Sequence, residues 1–206
     1  MVFDRLKDKP DARFGVVGMG AGTVAAYAEK GQVMRFYELN PAAEKLAFQW
    51  FTYIPDMIAR GARYEVALGD ARLSMEHEAP QQFDALLLDA FSGDTVPVHL
   101  LTKESFGLYL RHMKPDGVIA VHITNHFLNL APVVEKIAAE LGIPSVRIAV
   151  KPPPDTHNCI TDYVLMSRDQ AFVQSHPPQI PTWARVQDVP VWTDHHHNLF
   201  GILQHW

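Results

Sequence analysis

The chain is nearly devoid of cysteine: Cys159 is the only one in 206 residues. That excludes an internal disulfide and any dependence of the fold on an oxidising compartment, so a cytoplasmic protein is expected. Long apolar runs are missing too. Stretches such as Ala85 to Leu88 and Val118 to Val121 fall far short of the roughly 20 residues that cross a bilayer, and no signal-peptide pattern precedes Asp4. No membrane insertion is expected. Clusters of Lys and Arg are absent, and 18 basic against 23 acidic residues give a formal net charge of -5, so nucleic acid is not an expected partner. No Walker sequence, zinc spacing or Ser-His-Asp elbow occurs. His195-His196-His197 offers imidazoles, but adjacent side chains on a helix point about 100° apart and cannot share one ion, so no metal is expected.

What remains is an ordinary globular composition, 48% hydrophobic and 20% charged, in a chain of the length for one well-buried domain over residues 1–206. Apolar strand-like runs alternate with helix-like stretches from Arg13 to Ser167, the pattern of an open, mainly parallel sheet covered on both faces. Strands are expected at Phe14 to Gly18, Val33 to Glu38, Tyr64 to Leu68, Phe83 to Leu88, Val118 to Ile123, Val146 to Val150 and Tyr163 to Met166. Gly22 to Ala28 reads as the helix after the first strand. Asn40 is placed to cap a second helix with Pro41 at its first position. Ala47, Trp50, Phe51 and Ile54 follow at i, i+3, i+4 and i+7, one apolar face. Thr102 can cap a helix to about His112, Pro115-Asp116-Gly117 reads as a turn, and Leu128 to Leu141 is a helix stopped by Gly142. Pro152-Pro153-Pro154 separates the last two strands, and a short amphipathic stretch from Asp194 to Leu203 follows an irregular tail.

The glycine run Gly18-Met19-Gly20-Ala21-Gly22-Thr23 stands between the first strand and its helix, and Glu38 ends the second strand. A strand, a glycine turn, a helix and an acid eighteen residues after Gly20 describe a nucleoside-binding βαβ unit. Glycines admit a ligand close to the backbone, and a helix N-terminus supplies N–H groups. Thr23 stands where a dinucleotide fingerprint wants a third glycine, which disfavours a dinucleotide oxidoreductase.

Ligands of such sheets sit outside the carboxyl ends of the strands. Here those ends are acidic: Glu38, Asp70 and Asp89 follow the second, third and fourth strands, with Asp94 in the next loop. Two carboxylates 4 Å apart repel by roughly 4 kcal/mol at an effective ε of about 20, so their convergence implies a cationic or hydroxyl-rich ligand. Glu38 suits the ribose hydroxyls. Asp70, in Gly69-Asp70-Ala71-Arg72, suits an adenine amino group or the cap of a helix starting at Ala71. Asp89, after a strongly apolar strand, is the first candidate for proton transfer. Asp94 lies in Ser92-Gly93-Asp94-Thr95, a composition common to turns. His99, His122 and Asn125 lie near the same edge, and hydrogen-bonded packing is the favoured reading for a histidine there.

Four segments, Gly18-Met19-Gly20-Ala21-Gly22-Thr23, Tyr37-Glu38-Leu39-Asn40-Pro41, Gly69-Asp70-Ala71-Arg72 and Leu88-Asp89-Ala90-Phe91, together resemble the spermidine synthase (polyamine aminopropyltransferase) family. Pro97-Val98-His99-Leu100-Leu101-Thr102 and Trp192-Thr193-Asp194 resemble its spermidine-synthase-like branch. The resemblance implies a Rossmann-like S-adenosylmethionine-dependent methyltransferase fold, an α/β architecture with a seven-stranded, mostly parallel sheet and helices on both faces. It implies decarboxylated S-adenosylmethionine or S-adenosylmethionine as co-substrate, no metal, a small-molecule amine as second substrate, and admits a homodimer. Cofactor-binding residues would be Gly18, Gly20, Gly22, Glu38, Asp70, Ala71 and Asp89. Asp89 would be the catalytic acid, aided by Asp94, with Ser92 to His99 as a lid.

The chain departs from the family where the amine end of the donor is held. The glycine loop of spermidine synthases carries an Asp where this chain has Ala21, the gate after the catalytic Asp is spaced more widely, and the chain starts almost at the first strand where the family has an N-terminal β-rich domain. Aminopropyl transfer therefore stands beside two rivals. One is a methyltransferase of the same fold, since an Asp at position 21 would repel the carboxylate of intact S-adenosylmethionine. The other is a non-catalytic adenosyl-nucleoside-binding domain.

Overall fold

The structure, a computed structural model, describes residues 2–90, 97–150, 161–180 and 187–204. Two compact units divide the chain, Met1–Ala90 with Leu108–Val118 and Phe91–Gly107 with Ile119–Trp206. The elements in chain order are α1 (Val2–Leu6), β1 (Arg13–Val17), a 3-10 turn (Thr23–Tyr27), β2 (Val33–Glu38), α2 (Pro41–Trp50), α3 (Tyr53–Ala59), β3 (Arg63–Leu68), α4 (Ala71–His77) and β4 (Phe83–Leu88). There follow a second 3-10 turn (Val98–Leu100), α5 (Lys103–His112), β5 (Met113–His122), α6 (Ala131–Glu140), β6 (Ser145–Val150), β7 (Thr161–Ser167), α7 (Gln170–Gln174) and a third 3-10 turn (Phe200–Ile202). The seven strands lie in the order β3-β2-β1-β4-β5-β7-β6. β1 pairs in parallel with β2 and β4, β2 with β3, and β6 runs antiparallel to β7. Among the described residues no helix is long and apolar enough to cross a membrane.

In the first unit the side chains of β1 and β2 alternate between two faces. Phe14, Val16, Met34 and Phe36 join Ala47, Ile54 and Met57 of α2 and α3 in one buried cluster, each large side chain contributing about 1.5–3 kcal/mol of burial. On the opposite face Tyr37 meets Phe83 edge-on, with ring centroids 6.4 Å apart. There the Tyr37 hydroxyl donates to Glu78 at 3.0 Å, and Arg35 pairs with Glu78 and Glu65. Burial, the largest effect, pushes the Tyr37 phenol far above its ordinary range.

At the amino ends of the strands a single acid ties several elements. Asp84 is buried in the otherwise apolar β4 and receives Lys9 and Lys114, each at 2.7 Å, and the Arg13 amide at 2.8 Å. Burial alone would raise its carboxyl, but these donors outweigh burial and hold it below the usual value. His112, fully buried, receives the Gln81 amide on Nδ1 at 3.3 Å and donates through Nε2 to the Met75 carbonyl at 2.9 Å. Burial pulls its pKa down despite that second bond.

In the second unit Arg147 and Asp162 form a buried ion pair diagonally across the β6–β7 ladder, with contacts of 2.5–3.1 Å. Burial raises the nearby Glu135 carboxyl, partly offset by Arg147. Thr102 accepts the Ser105 amide at 3.3 Å, capping α5, and donates to Asp194 at 2.8 Å. The Trp192 carbonyl accepts the Lys103 amide at 2.8 Å, which seats the Trp192-Thr193-Asp194 segment on the start of that helix.

The expected strands and caps at Asn40 and Thr102 are present, and four local expectations change. The helix after β1 is only the five-residue 3-10 turn, entered through Gly22 at φ 75°. The expected continuous helix through Ala47, Trp50, Phe51 and Ile54 breaks at Phe51, which is extended at φ -128°, ψ 151°. Pro55 supplies the reason: lacking an N–H and clashing with the carbonyl four residues back, it fits the first turn of a new helix and not the interior of an old one. Ala47 and Ile54 are buried, whereas Trp50 is 70% and Phe51 43% exposed, so the four do not share a buried face. Pro115-Asp116-Gly117 is part of β5 and not a turn. A Cβ on Gly117 would lie 2.8 Å from the Phe83 carbonyl oxygen, so the missing side chain is what admits the strand. Finally, the Asp194 to Leu203 stretch is no helix; it contains a Thr193–His196 bridge and the third 3-10 turn.

Candidate active site

Four parallel strands of the first unit end together. The amides of Gly18, Gly69 and Asp89 donate across neighbouring strands to the carbonyls of Tyr37, Glu38 and Val17, each at 2.9 Å. The loops after β1, β2, β3 and β4 therefore leave the sheet from one aligned edge. They carry the glycine run, Glu38, Asp70 and Asp89, the residue types singled out in the sequence.

The three loop glycines serve different purposes. Gly18 has φ 90°, and a Cβ there would be driven into the Asp89 carbonyl and lie 2.9 Å from its carbon, so the missing side chain lets the first loop pass against the fourth strand's exit. Gly22, at φ 75°, lies over Ile54 of α3, whose Cγ1 and Cδ1 would each stand 2.8 Å from an added Cβ. At Gly20, φ 54°, an added Cβ would meet nothing within 4 Å. The loop is packed at both ends and open in the middle, with Ala21 beside the opening. Gly18→Ala is expected to lower stability by at least about 2 kcal/mol, since it adds left-handed strain to a collision with backbone. Gly20→Ala, which meets no obstacle, is expected to lose about 1 kcal/mol or less. Paired thermal melts check both values.

Glu38 grips its own loops with both oxygens. Oε2 accepts the Met19 amide at 2.9 Å and Oε1 the Asn40 amide at 2.8 Å. A carboxylate has about four lone-pair directions, so two remain for hydroxyl donors. Neither a solvated strand-end acid nor a pure ligand contact describes it, because it also fixes the glycine run from a position nineteen residues later. Sequence spacing carries no sign of that bond.

Asp70 caps α4, its Oδ1 accepting the Leu73 amide at 2.9 Å. The cap holds the carboxylate at the helix start, and the next residue, Ala71, is buried. Asp89 is exposed directly after the buried β4. Three leucines are close to these acids in sequence: Leu39 follows Glu38, Leu68 ends β3 and Leu73 lies in the first turn of α4. Leu39, Leu68 and Leu73 are 72%, 51% and 56% exposed, each next to or near an acid of the site. Carboxylates and exposed leucines in the segments that follow these strands suit a ligand with hydroxyls and a flat apolar ring. For Leu39 and Leu68 the usable signal is a leucine next to a strand-end turn.

Asp94 and the lid residues 91–96 lie outside the described residues. Among the histidines of the second unit, His122 shares a 2.8 Å hydrogen bond with the Thr124 hydroxyl and stacks on Tyr163, with centroids 4.9 Å apart. The Asn125 side chain accepts the amides of Phe127 at 2.9 Å and Leu128 at 2.8 Å, closing a turn. The His99 carbonyl accepts the Ser105 hydroxyl, binding the second 3-10 turn to α5. His195, His196 and His197 are exposed, and among the described residues no three His, Cys, Asp or Glu side chains group as a metal site.

No family model matches the chain. It is 35% identical over 119 residues to a polyamine aminopropyltransferase of Vibrio vulnificus (strain CMCP6), a match that covers 55% of this chain and 38% of that protein. The chain thus spans well under half the length of that relative. Its fold is similar to that of a probable spermidine synthase from Corynebacterium glutamicum, with TM-score 0.61 and 22% identity over 82% of this chain and 60% of that one. A human methyltransferase-like protein 13, solved in complex with SAH, gives TM-score 0.59 and 16% identity over 82% of this chain and 80% of that one. At these identities the two structural likenesses establish the fold, a Rossmann-like methyltransferase architecture. The chain thus resembles a polyamine aminopropyltransferase in sequence over about half its length and shares its fold with spermidine synthases and methyltransferases alike.

Proposed function

We propose that the chain is a transferase that binds an adenosyl sulfonium at the aligned ends of β1 to β4 and passes an aminopropyl group from decarboxylated S-adenosylmethionine to a small amine. The observation that carries this reading is the convergence, on one sheet edge, of the open-centred glycine loop, Glu38, Asp70 and Asp89. In this reading the two spare lone-pair directions of Glu38 accept the ribose hydroxyls. Asp70 accepts from the adenine amino group and Ala71 supplies its backbone. Leu39, Leu68 and Leu73 cover the purine ring, and Gly18, Gly20 and Gly22 let the backbone approach the sulfonium side. The acids suit a cationic co-substrate at the unlike-charge distances where attraction is largest.

The chemistry is an in-line displacement. The neutral amine nitrogen attacks the carbon beside sulfur, a C–N bond forms as the C–S bond breaks, and the electron pair leaves with sulfur as a neutral thioether, methylthioadenosine. The amine proton passes to the Asp89 carboxylate, which also aligns the nucleophile; Asp94 assists. The sulfonium is already a good leaving group, so the step needs no metal. Residues 1–206 act as one domain in this reading, in the cytoplasm, with a homodimer as the assembly admitted.

Methyl transfer from intact S-adenosylmethionine is the second reading, and Ala21 favours it. With no carboxylate beside the loop opening, a methionine-type carboxylate meets no repulsion there. Incubation with each donor and a mixture of small amines, followed by mass spectrometry, separates the readings. Methylthioadenosine formed in an amine-dependent way supports aminopropyl transfer, S-adenosylhomocysteine supports the second reading, and binding of either nucleoside without turnover overturns both in favour of a non-catalytic domain.

A further inference from the structure

The 3-10 turn Thr23–Tyr27 is too short to hold itself in place. Five residues in this conformation span about 10 Å and close few internal hydrogen bonds, so both ends need outside partners. At its amino end Gly22 rests on Ile54. At its carboxyl end the carbonyls are gathered by one side chain, that of Arg60, the C-cap residue of α3, which lies 32 to 35 residues further along the chain. Nη2 of Arg60 donates to the carbonyls of Ala25 at 3.0 Å, Ala26 at 3.1 Å and Ala28 at 3.2 Å, and Nε donates to Ala28 at 3.4 Å. Ala25 and Ala28 are themselves fully buried, so the carbonyls cannot swing freely to find other partners. α3 thus holds the segment that follows the glycine loop by an apolar seat at one end and a cationic fork at the other.

Resting on the adenosyl site proposed above, we propose that Arg60 is a positioning residue for that site: its guanidinium fixes the 3-10 turn and, through it, the conformation of Gly18 to Gly22 that receives the ligand. Arg60 does not touch the ligand. Nη2 reaches all three carbonyls and Nε adds a second contact to Ala28, so a lysine ammonium can keep part of this contact but loses the Nε bond and the fixed planar geometry that sets it. The turn is short enough to move as one piece, so release at Ala25 to Ala28 displaces Gly22 and, through the Gly22 amide bond of 2.9 Å to the Met19 carbonyl, the centre of the loop. Met19 is the residue whose amide Glu38 holds, so the ribose-binding acid is disturbed together with the loop.

The test measures methylthioadenosine affinity by calorimetry for the wild-type chain, Arg60→Ala and Arg60→Lys, alongside thermal melts and amide hydrogen exchange of residues 18–28. The expected result is binding weakened about tenfold in Arg60→Ala and less in Arg60→Lys. In the turnover assay the donor KM rises while kcat and the amine KM hold. Exchange at Met19 to Thr23 accelerates in both variants while amides of β4 keep their protection. A folded Arg60→Ala with affinity within twofold of wild type overturns the proposal. Should Arg60→Ala fail to fold, unchanged affinity in Arg60→Lys overturns it instead. Should the wild-type chain bind no adenosyl ligand, the adenosyl reading falls and exchange decides the role of Arg60: faster exchange at Met19 to Thr23 upholds it, unchanged exchange overturns it.

Discussion

Asp89→Asn is expected to lower product formation by a factor of about 10² to 10⁴ while methylthioadenosine binds as it does to the wild-type chain. The substitution keeps the shape of the side chain and its place after β4. It removes the negative charge that aligns an amine and the basic oxygen that takes its proton. The backbone amide that ties Asp89 to Val17 at 2.9 Å is untouched, so the strand end and the loop packed against it should survive. Steady-state kinetics with each donor, paired with nucleoside calorimetry, checks the split. Turnover equal to wild type removes Asp89 from the reaction. Loss of nucleoside binding in step with turnover makes it a binding residue only.

Asp84→Ala is expected to cost about 3 kcal/mol, because a carboxylate buried among two ammonium groups and an amide is removed and the Arg13 N–H loses its acceptor. The lysines are partly exposed, with side chains 37% and 22% accessible, so each can turn to water and the loss stays at the lower end for a broken buried pair. For a chain of this size that corresponds to a fall of roughly 6–12 °C in melting temperature. The pH dependence has a definite sign. The Asp84 carboxyl is held below its ordinary 3.8, so its contribution is complete above that value and lost as pH falls through the lower folded value. The variant should show a flatter acid limb below about pH 4. His112 works over a different window. Its pKa lies below the ordinary 6.5, so the folded state resists protonation and stability begins to fall once pH drops below 6.5, in the variant as in the parent. Thermal melts from pH 7 to pH 3 on both proteins separate the two limbs.

Most of the sheet was legible because its strands are short apolar runs bounded by glycine, proline or acid, and because caps are local chemistry: Asn40 bonds two residues ahead and Asp70 three. The aligned acids were legible for the same reason, each falling at the end of a run. Legibility ended where a bond spans distance. Glu38 holding Met19, and Arg60 gathering three alanine carbonyls, leave no trace in spacing. Two residues carry local signals against the simple pattern. Pro55 forbids a helix interior, and it outweighs the apolar spacing of Ala47 to Ile54. Asp84, a charge within an apolar strand, requires partners, and Lys9 and Lys114 are found there. Pro115 to Gly117 has the composition of a turn and is drawn into β5 by close packing against Phe83 that no local rule contains.

The order β3-β2-β1-β4 bears on how the chain emerges from the ribosome. Three strands are laid down outward from β1, and the fourth must return to pair with the opposite side of β1, Phe14 with Ala85 through Val17 with Leu88. Until residue 88 has been synthesised, the glycine run and Glu38 already exist, yet one flank of β1 presents a row of unmet N–H and C=O groups among Phe14, Val16 and Val17. Such a flank is a template for pairing with other chains. A stalled or truncated product ending between Asp70 and Phe83 would therefore carry the glycine run and an adhesive strand together, and the arrival of β4 brings Asp89 to the same edge in the event that seals it.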